Sequence, residues 1–241
     1  KKYITIILFL NLSSISFGQF GQNIVQYDDF TWYFIQTMHF DIYYSENGRT
    51  HAEFTAQEAE VAYLKIADRL NWRLKQRVSI IIYNSHNDFQ QTNVIDSYMY
   101  EGIGGVTELY KNRVVIPFDA SNMEFRHVIH HELLHAFIND CVYGGNLNNM
   151  VSSAIKIRIP MWMNEGLAEY LSSGWDTNSE MWIRDMTING GEFPDIKNLN
   201  GYMAYRGGQS VWNFITEKWG EESIGEIIFQ IKKTNNVETG I

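Results

Sequence analysis

Residues 121–139 read SNMEFRHVIHHELLHAFIN, and this stretch decides the fold. Ser121 followed three residues later by Glu124 is a capping box, so the segment opens as a helix, expected to run to about Asn139. Inside it stands His131-Glu132-Leu133-Leu134-His135. At 3.6 residues per turn, positions i and i+4 share one helical face, so both imidazoles can converge on a single metal ion. Glu132, next to the first of them, can reach a water on that ion but not the ion itself. His127 and His131 are also four apart, but no Glu follows His127, so only the 131/135 register carries a base. His130 points about 100° away from the ligand face and is expected to pack or to support the site from behind.

A pair of helical histidines needs a third ligand. The segment Pro160-Met161-Trp162-Met163-Asn164-Glu165-Gly166-Leu167-Ala168-Glu169-Tyr170 offers it. Pro160 suits the first turn of a helix, where its missing N–H costs nothing. Glu165 and Glu169 then lie one turn apart on one face, flanked by Trp162, Leu167, Ala168 and Leu171. Two acids so placed against apolar surface repel each other unless a cation lies between them and the neighbouring helix.

The chain is 241 residues long, 45% hydrophobic and 20% charged, which gives a globular protein with a substantial core. Acidic residues outnumber basic ones 28 to 19, for a net charge of −9, which disfavours nucleic acid as a partner. The single cysteine, Cys141, permits no internal disulfide and no thiolate cluster, so a metal must be held by His and carboxylates. As a nucleophile Cys141 would need its own base, and the alternative is an inert buried thiol.

Lys1 and Lys2, the apolar run Ile4–Leu12 and the small residues through Gly18 form the pattern of a signal peptide over 1–18, with an exported, periplasmic or extracellular destination. No stretch has the ~20 apolar residues of a membrane span. The remainder, 19–241, is expected to be one domain with a sheet lobe over about 27–140 and a helical lobe over about 141–241. Strands are expected at Trp32–Gln36, His39–Tyr44 and Val78–Tyr83, and a helix at Ala52–Trp72. A hairpin of Gly104–Tyr110 and Arg113–Pro117 is expected to turn at Lys111-Asn112, and the Trp- and Tyr-rich segments 162–182 and 212–219 are expected in the core. Gly207-Gly208 reads as close helix packing.

Together, His131-Glu132-x-x-His135 and Asn164-Glu165-Gly166-Leu167-Ala168-Glu169 resemble the gluzincin metallopeptidases, the thermolysin-like group. The resemblance implies an α+β, zincin-like fold: a small mixed β-sheet lobe with the His-Glu-x-x-His helix, then a mainly helical C-terminal lobe. It implies zinc held by His131, His135 and Glu165, Glu132 as general base, and Glu169 orienting a ligand histidine. Ala204-Tyr205-Arg206-Gly207-Gly208 is similar to the Tyr-x-x-Gly element of gluzincin aminopeptidases, which implies that Tyr205, with Tyr202 in reserve, stabilises the oxyanion. The Gly-Ala-Met-Glu-Asn exopeptidase element has only a faint counterpart in Gly104–Glu108, so aminopeptidase specificity is not implied.

Phe40–Tyr44, Ile80–Phe89 and Asn112–Phe118 are similar to the peptidase module of secreted bacterial proteins that carry a TolB-like β-propeller. That likeness implies a C-terminal propeller beyond Ile241 in a longer protein. The expected function is zinc-dependent hydrolysis of a peptide or protein substrate. Its alternatives are a zinc-binding but non-proteolytic binding module and a zinc hydrolase of a non-peptide substrate.

Overall fold

The structure is a computed structural model that describes residues 25–95, 99–144, 157–190 and 193–238. The signal-like segment 1–18 lies outside these residues. Two β-strands open the fold, β1 (Trp32–Gln36) and β2 (Phe40–Ser45), paired antiparallel with Phe34 opposite Tyr43. Helix α1 (Arg49–Leu70) crosses over to β3 (Val78–Tyr83), which lies parallel to β2. After the one-turn α2 (His86–Phe89) come β4 (Val106–Thr107) and β5 (Val114–Pro117). The sheet order is β1-β2-β3-β5-β4, with β5 parallel to β3 and β4 antiparallel to β5.

This small mixed sheet is followed by helices: α3 (Asn122–Tyr143), α4 (Met161–Ser173), α5 (Thr177–Asn189), α6 (Tyr202–Trp219) and α7 (Glu222–Thr234). The expected α+β arrangement, a mixed sheet before a mostly helical part, is therefore present among the described residues. The alternation in β2 and β3 explains one face of the sheet. Phe40, Ile42, Ile80 and Ile82 point one way, and the buried stripes of α1 (Ala59, Ala62, Ile66) and α3 (Ile129, Leu133, Phe137) close over them. Tyr83, Phe89, Met99 and Val115 form a smaller cluster on the other side.

Three boundaries differ from expectation. α3 runs one turn past Asn139, because Gly144 at φ 87° is the first residue that can take the left-handed conformation and stop it. Pro160 stands at the N-cap, one position ahead of the first turn. The strand expected over Gly104–Tyr110 shrinks to Val106–Thr107. Gly105 there presses against α3, where an added Cβ would lie 2.9 Å from Glu132 Cγ, and past Thr107 the chain closes its turn through Glu108 N–H and Arg113 C=O.

Two contacts hold the helical part together. α4 and α6 cross where Gly166 meets Gly208, and a Cβ on Gly208 would fall 2.0 Å from the Trp162 carbonyl oxygen. Beside that crossing the buried Trp212 donates its indole N–H to the Met163 carbonyl at 3.0 Å. Trp162 and Trp212 are core residues as expected, whereas Trp219 is exposed and lies against Lys218.

Candidate active site

α3 and α4 carry the chemistry. The Ser121 hydroxyl accepts the Glu124 N–H and starts α3 in the register that puts His131 and His135 on its α4 side. On α4, Glu165 faces them. His131 Nε2 lies 3.2 Å and His135 Nε2 3.3 Å from the same oxygen, Glu165 Oε2. For metal–ligand bonds of about 2.0–2.1 Å, tetrahedral geometry separates neighbouring ligand atoms by about 3.3 Å. The donor set and its spacing therefore fit a zinc-sized ion.

Glu165 and Glu169 occupy the two sides of one imidazole. Glu169 Oε1 lies 3.1 Å from His131 Nδ1, opposite the nitrogen that faces Glu165. Burial opposes a charge on this ring, but the hydrogen bonds from both carboxylates prevail and lift its pKa to about 10. Burial likewise opposes ionisation of Glu165 and Glu169, and the histidines beside them prevail, holding both well below the usual carboxylate range. The site is built to hold positive charge between two acids.

Glu169 has further partners. His127 Nε2 is 3.3 Å from Oε1, and Arg206 Nη1 on α6 is 3.1 Å from Oε2. His127, His131 and Glu169 thus form a second group close enough to ligate a metal. Arg206 already supplies a cation there, and a neutral imidazole that ligates through Nε2 keeps its proton on Nδ1 for a carboxylate. The arrangement around Glu169 therefore fits an outer support for His131, and the one around Glu165 fits the metal. His135 differs from His131: its Nδ1 is buried with no hydrogen-bond partner among the described residues.

Glu132 is 6% exposed. The Thr107 hydroxyl lies 2.6 Å from its Oε2 and 2.9 Å from its carbonyl oxygen, pinning the sheet edge to the helix at this residue. Tyr205 stacks on His131 with ring centroids 6.0 Å apart. Burial first, then the neighbouring Glu165 carboxylate, pushes its phenol pKa up, so it remains a proton donor. Tyr202, the reserve, is committed elsewhere: its hydroxyl accepts from Arg206 Nε at 3.2 Å. The two acids of α4, the two histidines, Glu132 and Tyr205 are thus brought together. His130 stays apart, buried, with its Nε2 3.4 Å from Glu58. Cys141 is buried too, and desolvation pushes its thiol pKa up to about 11, which leaves no thiolate for nucleophilic attack.

The cleft has two arms that meet at Gly105, His131, Glu132 and Tyr205, one of about 430 Å³ and one of about 530 Å³. A family model of the peptidase MA superfamily matches residues 55–241, which span the paired histidines, both acids of α4 and Tyr205. The chain belongs to the peptidase MA superfamily. No curated protein matches it. As a peptidase MA protein it belongs among metal-dependent peptidases, and its His131/His135/Glu165 group is one that could hold the metal.

Three neighbours of this peptidase MA site escaped the sequence reading in whole or part: Arg206, Thr107 and His127. Only His127 carried a signal, its spacing of four from His131. Arg206 and Thr107 reach the site through tertiary packing that no local pattern encodes.

Proposed function

We propose that this chain is a zinc-dependent metallopeptidase of gluzincin type that hydrolyses peptide bonds. What carries the reading is the approach of His131 and His135 from α3 to one oxygen of Glu165 on α4, at 3.2 and 3.3 Å, beside a buried Glu132 that lines the same cleft. His131, His135 and Glu165 would hold the ion. Bound there, zinc supplies a Lewis acid that polarises the scissile carbonyl and lowers the pKa of a water towards ~7.

The protein's own groups do the rest. Glu132, aimed by Thr107, takes a proton from the attacking water and hands it to the leaving amine. Tyr205 donates its phenolic proton to the developing oxyanion. Glu169 accepts from His131 Nδ1 and fixes the ring with Nε2 towards the ion. The same reading takes 1–18 as an export signal, 19–241 as the peptidase domain with its lobes dividing near 140, a propeller as a following domain and nucleic acid as no partner. No helix of the described residues is long and apolar enough to cross a membrane.

The test is Glu132→Gln, with zinc content and hydrolysis of a peptide library measured together. Retained zinc with hydrolysis lost supports the assignment, and full activity overturns Glu132 as base. A wild-type protein that holds zinc and cuts no peptide is instead a binding module, or a hydrolase of something else.

A further inference from the structure

The two arms of the cleft differ in chemistry. The smaller arm is walled by Ile95, Val106, Leu109, Ile138, Tyr143 and Ile159, an apolar recess beside His135 and Glu165. The larger one runs the other way from Glu132, past Val128, Ile103, Tyr100, Met161 and Tyr202. Space therefore exists on both sides of the reacting atoms. β4, whose one partner in the sheet is β5, edges this cleft and offers its unpaired backbone groups to an extended chain.

A free chain end in either arm would need a counter-charge. Capture of an α-carboxylate calls for Lys or Arg, and among the described residues neither arm is lined by one. Capture of an α-amino group calls for an uncommitted carboxylate. The described carboxylates are engaged: Glu165 with both ligand histidines, Glu169 with His127, His131 and Arg206, and Glu132 with Thr107. A charged terminus left unpaired beside these walls is strongly disfavoured.

We infer that the protein is an endopeptidase. An extended substrate occupies both arms, its internal C–N bond is cut at Glu132, and a bulky apolar side chain next to that bond lodges between Leu109, Ile138 and Ile159. The inference rests on the metallopeptidase reading above. In the step itself water adds across the amide: a C–O bond forms, the C–N bond breaks, and the amine departs with the proton that Glu132 carried.

The experiment compares end-blocked (N-acetyl, C-amide) peptides with their unblocked counterparts on the zinc-loaded wild-type protein, with products identified by mass. Blocked peptides should be cut at internal bonds beside Leu, Ile, Met or Phe, with kcat/KM at least equal to that of the unblocked ones. Release of single terminal residues from unblocked peptides alone overturns the endopeptidase assignment and leaves the metallopeptidase intact. Failure to cut any peptide overturns both.

Leu109→Glu, checked for an unchanged melting temperature, should shift the preferred side chain from apolar towards Lys or Arg by at least about tenfold in relative kcat/KM. The same shift should appear when labelled end-blocked peptides bind the Glu132→Gln protein, a readout that needs no turnover. An unaltered preference overturns the placement of the apolar side chain in this arm.

Discussion

Gly166 and Gly208 touch backbone to backbone: a Cβ built on Gly166 falls 2.3 Å from the Gly208 carbonyl carbon. The contact joins α4, with Glu165 and Glu169, to α6, with Tyr205 and Arg206. Neither helix can admit a methyl group without moving away from the other. Gly208→Ala should therefore lower unfolding stability by roughly 3 kcal/mol, the upper end for overpacking a tight site. In the molecules that do fold, it should weaken zinc binding, because Arg206 moves with α6. Urea unfolding and chelator competition on one sample check both, and unchanged stability would refute the backbone contact.

Arg206 is the cation that α6 presents to Glu169, 3.1 Å from Oε2. Its other polar neighbours are Gln209 Oε1 at 3.1 Å and the Tyr202 hydroxyl. Replacing it with Met leaves Glu169 held from one side by His127 and His131. Arg206→Met should lower zinc affinity by about tenfold, the lower end for removal of an outer partner of a ligand. Because Arg206 acts through Glu169, the double variant with Glu169→Gln should be little worse than Glu169→Gln alone. Additive losses in chelator competition would separate the two residues.

The parts of the fold that local pattern encodes were legible in the sequence. β2 and β3 alternate, α1 and α3 repeat at helical spacing, and Ser121 and Glu124 mark the start of the helix that carries the paired histidines. The site was legible to the same depth, since the spacing of His131 from His135 and of Glu165 from Glu169 is itself helical. What was hidden depends on which helix crosses which. Nothing near Arg206 in the sequence says that its guanidinium meets Glu169. The brevity of β4 was equally invisible, because its limit is set by Gly105 against Glu132 and not by strand propensity. Gly207-Gly208 was read as close packing, but its counterpart, Gly166, became visible only once α4 and α6 crossed.

His131 carries a proton in the metal-free protein, since its pKa is raised to about 10 by the carboxylates on either side. Zinc takes the neutral imidazole, so below that pH each ion that binds must displace the proton. The sign follows directly: affinity rises with pH through neutrality, because competition from the proton weakens as pH climbs towards about 10. Calorimetric titration at pH 8 in buffers of different ionisation enthalpy should report at least one proton released per zinc. A binding enthalpy independent of buffer would contradict a protonated His131.

Two tyrosines one turn apart on α6 compete for the role of oxyanion donor. Tyr205 lines both arms of the cleft and stacks on His131, and burial beside Glu165 keeps its phenol protonated beyond its ordinary range. Tyr202 lines the larger arm alone, is 58% exposed and gives its hydroxyl oxygen to Arg206. Removal of an oxyanion donor costs about 100-fold or more in rate, whereas loss of one exposed hydrogen bond costs about threefold. Tyr205→Phe should thus reduce kcat by about 100-fold with zinc affinity unchanged, and Tyr202→Phe should leave kcat within about threefold. The raised pKa adds a second expectation: deprotonation of Tyr205 contributes no alkaline limb to the wild-type rate profile up to pH 10. If Tyr202→Phe carries the larger loss in steady-state kinetics, the donor sits on the other turn of α6 and Tyr205 serves only to pack against His131.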